Sequence, residues 1–527
     1  MRKGLPSLVA AACLAAQLAS CGGSGGGPTG SPHALSGTLT YDKVPSTTLG
    51  LDYPGTVQRP VRGAEVRVVD AENTNTVFAS GVTGGDGHYS LSWTGPAAVK
   101  IVFLARTSSP VVAVQDNTSA SKAVYGAVSP AIDASTTTTA NLKAASGWTG
   151  TAYSGRSAAP FAVLDAAWEA VQAFQAARPS VVFPELHINW SANNAPVGPQ
   201  AGETQDQAYA AGHIGTSHWN GTELFILGQA DVDTDEFDDH VIVHEWGHYF
   251  ESKLGRSDSP GGPHSAGDIK DPRLAFGEGW GNALSGIVWA PNTVYSDSSG
   301  TNQASGFGFD LEDNVTFDPN PGWFSEGSVQ SILFDLFDSG ANEAHDTVAL
   351  GLGPIYDALT GAQKNTPAMT TLFSFISALK AANPGQAAAI DTLTGYRGVV
   401  GVAIADAYGT GETNNGFSTA NLPLYRSIGV GTGVSLTLLG GMSNEAGQNR
   451  YLRFQGDGAV HTVSISTPGT EDVDVRVVQN GLVRATALGP TGNETTNAFT
   501  AAASTQYIVV VTGWGGTASY PTTVTVN

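Results

Sequence analysis

Two histidines four residues apart enclose a glutamate in His244-Glu245-Trp246-Gly247-His248. On an α-helix, residues at this spacing share a face one turn apart, so both imidazoles can reach a single Zn2+. Glu245 is turned about 100° from His244 around the helix. Its carboxylate therefore addresses a water beside the metal rather than the metal itself, the arrangement that zinc-assisted hydrolysis uses. Val241, Ile242 and Val243 supply an apolar face that buries the helix, and Thr234-Asp235-Glu236 reads as its acidic capping start. The predicted helix spans about 236–254. A catalytic zinc takes three protein ligands and keeps one position open, so a third ligand must come from elsewhere.

The three-histidine extension of metzincins would place Gly at 251 and His at 254, where Glu251 and Leu254 stand. Thirty residues after His248 comes Glu278, within Phe276-Gly277-Glu278-Gly279-Trp280-Gly281-Asn282 on a second predicted helix. HExxH followed by a glutamate helix resembles the gluzincin metalloproteases, thermolysin-like in fold. The Gly-Glu-Gly-Trp surround is similar to the fungalysin type, whose third ligand sits in Gly-Glu-Gly-Trp-Ser-Asp. The resemblance implies His244, His248 and Glu278 as ligands of one catalytic Zn2+, Glu245 as the base, and a protein or peptide as substrate. It also implies that the strand before the active-site helix, Thr222–Gly228, binds substrate backbone by β-addition.

Two departures from the family stand out. The family aspartate four residues after the ligand glutamate is Asn282 here. An amide oxygen can accept the second N–H of a ligand imidazole but adds no charge, so the ligand is less basic. The family also offers a later His or Tyr to the tetrahedral intermediate, yet Trp323–Phe337 holds no histidine. Tyr295, a protonated Glu326 and His345 are the candidates for that oxyanion role. The motif resemblance covers about 230–340, and the strand–helix order extends it to 160–390.

The elements around these motifs imply a multidomain chain, an α+β domain flanked by β-sandwich domains, and the resemblance implies that the α+β domain is a thermolysin-like zincin domain. Residues 35–145 alternate in short runs such as Ala64–Val69, separated by Gly, Pro, Asn and Asp. Val61–Leu91, with Gly85-Asp86-Gly87-His88-Tyr89 as its turn, resembles the carboxypeptidase-regulatory-like sandwich, a presenting module. Residues 150–430 form the zinc domain. Phe161, Leu164, Trp168, Val171 and Phe174 recur at helical spacing between Pro160 and Pro179. Val181–Phe183, Leu186–Ile188 and Glu223–Gly228 read as strands, and further helices are predicted over about 273–289, 328–338 and 368–382. Residues 431–527 return to alternating strands, including Val460–Ile465 and Tyr507–Val511, and resemble the pre-peptidase C-terminal sandwich.

The first residues read as an address. Met1-Arg2-Lys3 is positive, Gly4–Gln17 is apolar, and small residues precede Cys21. Leu18-Ala19-Ser20-Cys21 resembles the bacterial lipobox, which implies a signal over 1–20, a diacylglycerol on Cys21 and a flexible Gly/Ser tether over 21–34. Gly22 after that cysteine implies the outer membrane of a double-membraned host, with release from the envelope as a further fate. Cys13 leaves with the signal, so no disulfide is expected.

Composition narrows the classes. The 24 Lys+Arg against 46 Asp+Glu give a net charge of −22, with no basic surface to neutralise phosphates, so nucleic acid is excluded as a partner. At 41% hydrophobic residues the chain can bury a core. Beyond the N-terminus no run of about 18 apolar residues exists, so no transmembrane helix is expected. Asp231-x-Asp233-x-Asp235 hints at a Ca2+ loop, but its twelfth position is Ile242, so it is no EF-hand. Asp310-Leu311-Glu312-Asp313-Asn314 is a second acidic patch, and His213 and His218 lie in a Gly/Ser loop. Nothing in the sequence speaks to oligomeric state. The competing reading is a catalytically degenerate metalloprotease fold serving as a surface binding or adhesion lipoprotein.

Overall fold

A computed structural model of the chain describes residues 30–527, apart from 266, 313–317, 339–344, 405, 441–443 and 516–518. The signal, the lipobox with Cys21, most of the tether, Asp313 and Asn314 lie outside the described residues.

The strand Ser31–Lys43 turns Leu35, Leu39 and Tyr41 inwards at the period of two that a half-buried strand requires. It pairs antiparallel with His88–Gly95 and Val57–Pro60 and parallel with Leu142–Ala144. A second, larger sheet shares its core. That sheet runs in the order His218–Trp219, Leu224–Ile226, Leu186–Trp190, Val111–Gln115, Ala98–Ser108, Ala64–Asp70, Val77–Val82. The Gly85-Asp86-Gly87 turn joins Val77–Val82 of one sheet to His88–Gly95 of the other. Gly87 has φ +74°, and a Cβ there would lie 2.4 Å from the Leu39 carbonyl oxygen, so the turn requires glycine.

The composition change near 145–150 is not a boundary of packing. Leu186–Trp190 pairs parallel with Val111–Gln115, so one sheet passes from the expected N-terminal sandwich into the expected zinc domain. Parallel neighbours need a crossover, and the helix Ala159–Ala177 supplies it while packing on that sheet. Its Asp165 is buried, held by Arg62 at 2.7 Å and by Tyr41 Oη at 2.6 Å. A single apolar core therefore runs from Leu35 to Ala446.

Eight α-helices stand among the described residues: α1 (Ala159–Ala177), α2 (Gln205–Ala211), α3 (Asp239–Lys253), α4 (Pro272–Trp289), α5 (Glu326–Asp335), α6 (Leu352–Thr360), α7 (Leu372–Ala382) and α8 (Ala387–Tyr396). The fold is thus mixed α/β, sheet-rich and multidomain. None of these helices is long and apolar enough to cross a membrane. Two sequence expectations shift. Val181–Phe183 is irregular, not a strand; it lies between Pro179 and Pro184, and its buried Phe183 packs edge-on against Trp246 at 5.3 Å. α3 starts at Asp239 rather than 236, because the earlier acidic residues are committed elsewhere. Glu236 is buried against Arg156 at 2.9 Å, and Asp235 accepts from Ser217 Oγ.

The C-terminal region is a two-sheet sandwich with its own core of residues such as Leu452, Phe454 and Val475 against Leu436, Ile465 and Val524. Its first strand, Tyr425–Ile428, pairs with Asn449–Gln455 and so belongs to this sandwich, slightly earlier than the expected 431. The sandwich also steadies α4. Tyr451 Oη donates to Asp271 Oδ2 at 2.6 Å, while Asp271 Oδ1 caps α4 by accepting from the Arg273 N–H.

Candidate metal centre

α3 and α4 cross where both carry glycine. A Cβ on Gly247 would lie 3.2 Å from Gly281 Cα, so the pair brings the helices close. The crossing gathers three donor atoms: His244 Nε2 is 3.1 Å from His248 Nε2 and 3.2 Å from Glu278 Oε2, and His248 Nε2 is 3.5 Å from that oxygen. Ligands about 2.0–2.1 Å from a tetrahedral Zn2+ lie about 3.3–3.4 Å apart. Two imidazoles and one carboxylate at these separations fit that ion in donor type and spacing, and the side chains are largely buried.

The next layer sets the orientation. His244 Nδ1 donates to Asn282 Oδ1 at 2.7 Å, and Asn282 Nδ2 donates to Gln330 Oε1 at 2.7 Å. The imidazole thus presents its Nε2 lone pair to the other ligands. Gly281 lies under the ring: a Cβ there would be 2.8–2.9 Å from three His244 ring atoms. Gly279 clears α5, where a Cβ would meet Val329 Cγ1 at 2.5 Å. Trp280 Nε1 donates to the Gly247 carbonyl at 3.1 Å, locking the crossing.

Glu245 stands beside the triad, not in it. Its Oε2 accepts the Trp219 backbone N–H at 3.0 Å. Trp219 lies on His218–Trp219, the strand at the end of the larger sheet. This corrects the expected substrate strand. Leu224–Ile226 is flanked on both sides, by Leu186–Trp190 and His218–Trp219, so its backbone is already paired.

Charge at the site is mutually dependent. Burial pulls the His248 imidazole down, but the Glu278 carboxylate outweighs it and pushes it up to about 10. Burial likewise opposes the net upward shift of His244, which its hydrogen bond to Glu278 produces. Glu278 is held well below the usual carboxylate range, burial being overcome by His248 and the hydrogen bonds of both imidazoles. Glu251, buried near the same helix crossing, is pushed up to about 7 by burial.

The three oxyanion candidates fare differently. Tyr295 is buried, stacks on Phe309 and meets the His244 ring edge-on at 6.5 Å between centroids. Glu326, first residue of α5, lies 3.3 Å from Lys270 Nζ, within ion-pair distance. His345 stacks on Tyr396 at 3.5 Å, at the end of α8. Sequence reasoning missed His264. Its Nε2 lies 3.3 Å from Glu278 Oε2 and 3.8 Å from Glu326 Oε2. The available signal was a histidine in the Gly/Pro loop between the two ligand helices. His213 pairs with Glu203 at 2.9 Å, and His218 with Tyr209 Oη at 2.9 Å; neither joins the triad. In the second acidic patch, Asp310 Oδ1 accepts from Thr293 Oγ1 and the Glu312 N–H, closing a local turn.

No protein-family model matches the chain, and no curated protein matches it. Among solved structures it is similar to the pre-peptidase C-terminal domain of a collagenase from Bacillus anthracis, at 13% identity and a TM-score of 0.17, over 20% of this chain and 94% of that one. It is also similar to the periplasmic lysozyme inhibitor PliG of Aeromonas hydrophila, at 13% identity and a TM-score of 0.14, over 20% and 97%. Likenesses this short and weak carry no argument about function.

Proposed function

We propose that the chain is a zinc endopeptidase of the gluzincin type, with a thermolysin-like catalytic domain. We propose further that Cys21 anchors it by lipid to the bacterial cell envelope. The observation that carries the catalytic reading is the convergence of His244 Nε2, His248 Nε2 and Glu278 Oε2 at 3.1–3.5 Å with Glu245 held just outside. A zinc ion held by these three side chains supplies Lewis acidity, polarising a carbonyl oxygen and acidifying a water.

The residues of the chain do the rest. The Trp219 N–H fixes one oxygen of Glu245, which orients the other to take a proton from the attacking water and return it to the leaving amine. Asn282 holds the His244 ring in its ligating tautomer. His264, beside Glu278, is the imidazole available to the developing charge on the carbonyl oxygen, a role the family assigns to a later histidine. The outer strand His218–Trp219, whose Trp219 N–H is given to Glu245, takes the place of Thr222–Gly228 as the strand beside which an extended substrate adds.

The test pairs two variants. Glu245→Gln retains about one zinc per chain and loses about 10²–10⁴ in peptide cleavage rate. His244→Ala loses zinc and activity together. Zinc bound by wild type with no cleavage of any peptide pool would overturn the enzyme and leave a degenerate scaffold. For the anchor, Cys21→Ser releases the protein from the membrane fraction; a wild type already soluble and unlipidated refutes it.

A further inference from the structure

Away from the zinc ligands, Asp233, Asp235 and Asp297 each bring one carboxylate oxygen within 4.8 Å of the others. Their placement follows from strand geometry. Asp233 lies opposite Ser299 in an antiparallel pair, and Asp297 is two residues before Ser299 on the same face. Asp235 follows Asp233 by two. Asp238 crowds the same region, but its oxygens accept from Ser46 Oγ and Ser298 Oγ.

The first three are not so provided for. Asp235 is 3% exposed; Ser217 Oγ donates to its Oδ2, while its Oδ1 is buried with no hydrogen-bond partner among the described residues. Asp233 Oδ1 is buried in the same way, with only the Asp235 carboxyl group beside it in reach among the described residues. Among the described residues no lysine, arginine or histidine forms an ion pair with any of these aspartates. A buried, unpaired carboxylate oxygen is costly, and three close together add repulsion. Burial and the neighbouring aspartates accordingly push Asp235 well above the carboxylate range, and burial with Asp233 pushes Asp297 up to about 7. The cluster lacks a positive charge, and its donors are all hard oxygens.

We propose that Asp233, Asp235 and Asp297 bind one Ca2+ ion, which ties the segment entering α3 to the strand that leaves α4. Ca2+ holds oxygens at about 2.3–2.6 Å, so ligands on one ion span up to about 5 Å, and the 4.8 Å limit falls inside that shell. Mg2+, at about 2.0–2.1 Å, draws its ligands tighter and keeps its own waters. The site is carboxylate-only and separate from the histidine-bearing centre, and the inference stands whether or not the chain cleaves peptides. Its role is positional: the bridge joins the elements that flank the two ligand helices, on the strand that carries Tyr295.

The experiment uses the full chain, stripped of divalent ions, resaturated with zinc, and titrated with CaCl2 or MgCl2. Bound calcium is measured by equilibrium dialysis and the melting temperature in parallel. One Ca2+ binds per chain, half-saturating at about 10⁻³ M or below, and Tm rises by about 3 °C at a hundredfold excess over Kd. Asp297→Asn and Asp233→Asn each abolish binding and the Tm response. In the absence of Ca2+ these variants melt no lower than wild type, because each removes a repelling charge; a merely structural aspartate would give the opposite sign. Three results would overturn the proposal: no calcium bound by wild type at about 10 mM, binding that survives both variants, or a response to Mg2+ with none to Ca2+.

Discussion

Replacing Gly281 by alanine isolates the geometry on which the metal site depends. Gly281 has ordinary helical backbone, so alanine gains about 0.8–1.0 kcal/mol in helix propensity. The new Cβ, however, would sit 2.8 Å from His244 Nδ1 and 2.9 Å from its Cγ and Cε1. Carbon contacts settle near 3.5–4.0 Å, so the ring must retreat by about 0.6 Å or more. Zinc–ligand distances tolerate about 0.2 Å, and the retreat also strains the 2.7 Å bond from His244 Nδ1 to Asn282. Loss of such an orienting bond costs about 10–100-fold in metal affinity, or about 1.4–2.7 kcal/mol. Overpacking costs about 1–3 kcal/mol, which the propensity gain partly offsets. Zinc-free stability thus moves little while zinc affinity falls. Competition against a chromophoric chelator, with melting of the zinc-free protein, measures both. Gly277→Ala is the control on the same helix: its Cβ meets nothing closer than 3.5 Å, and it retains zinc. Wild-type zinc affinity and activity in Gly281→Ala would show that His244 is not held as described.

Asn282→Ala weakens zinc by about 10–100-fold, whereas Asn282→Asp restores a charged acceptor and tightens it, both read by the same chelator competition. His264→Ala keeps zinc and lowers kcat by about 10²–10³, the cost of one oxyanion donor; unchanged kcat in steady-state peptide cleavage removes His264 from the mechanism. In the zinc-free protein, the raised His248 contributes stability fully present below its ordinary 6.5 and lost as pH climbs through about 10. The lowered Glu278 contributes stability present above its ordinary 4.5 and lost as pH falls towards its folded value. From this cluster, melting of the zinc-free protein is therefore highest between about pH 4.5 and 6.5. A His248→Ala variant flattens the alkaline side; an unchanged alkaline slope contradicts the assigned shift.

Much of the site was legible in the sequence because helical spacing is local. His244 and His248 share a face whatever surrounds them, and the helix that carries Glu278, expected over about 273–289, runs from Pro272 to Trp289. The sandwich strands were legible for a similar reason: Ser31–Lys43 buries alternate residues, and Gln506–Gly513 buries a continuous apolar run. Tertiary packing decided what local pattern does not encode. The sheet crosses the expected boundary at 145–150 because Leu186–Trp190 found a parallel partner more than 70 residues earlier, a pairing that no alternation specifies. The start of α3 moved because Asp235 and Glu236 were claimed by Ser217 and Arg156 from distant segments. His264 and Asp297 carry no motif. Each matters only because a loop and a strand fold back beside residues remote in sequence, bringing His264 to Glu278 and Asp297 to Asp233 and Asp235.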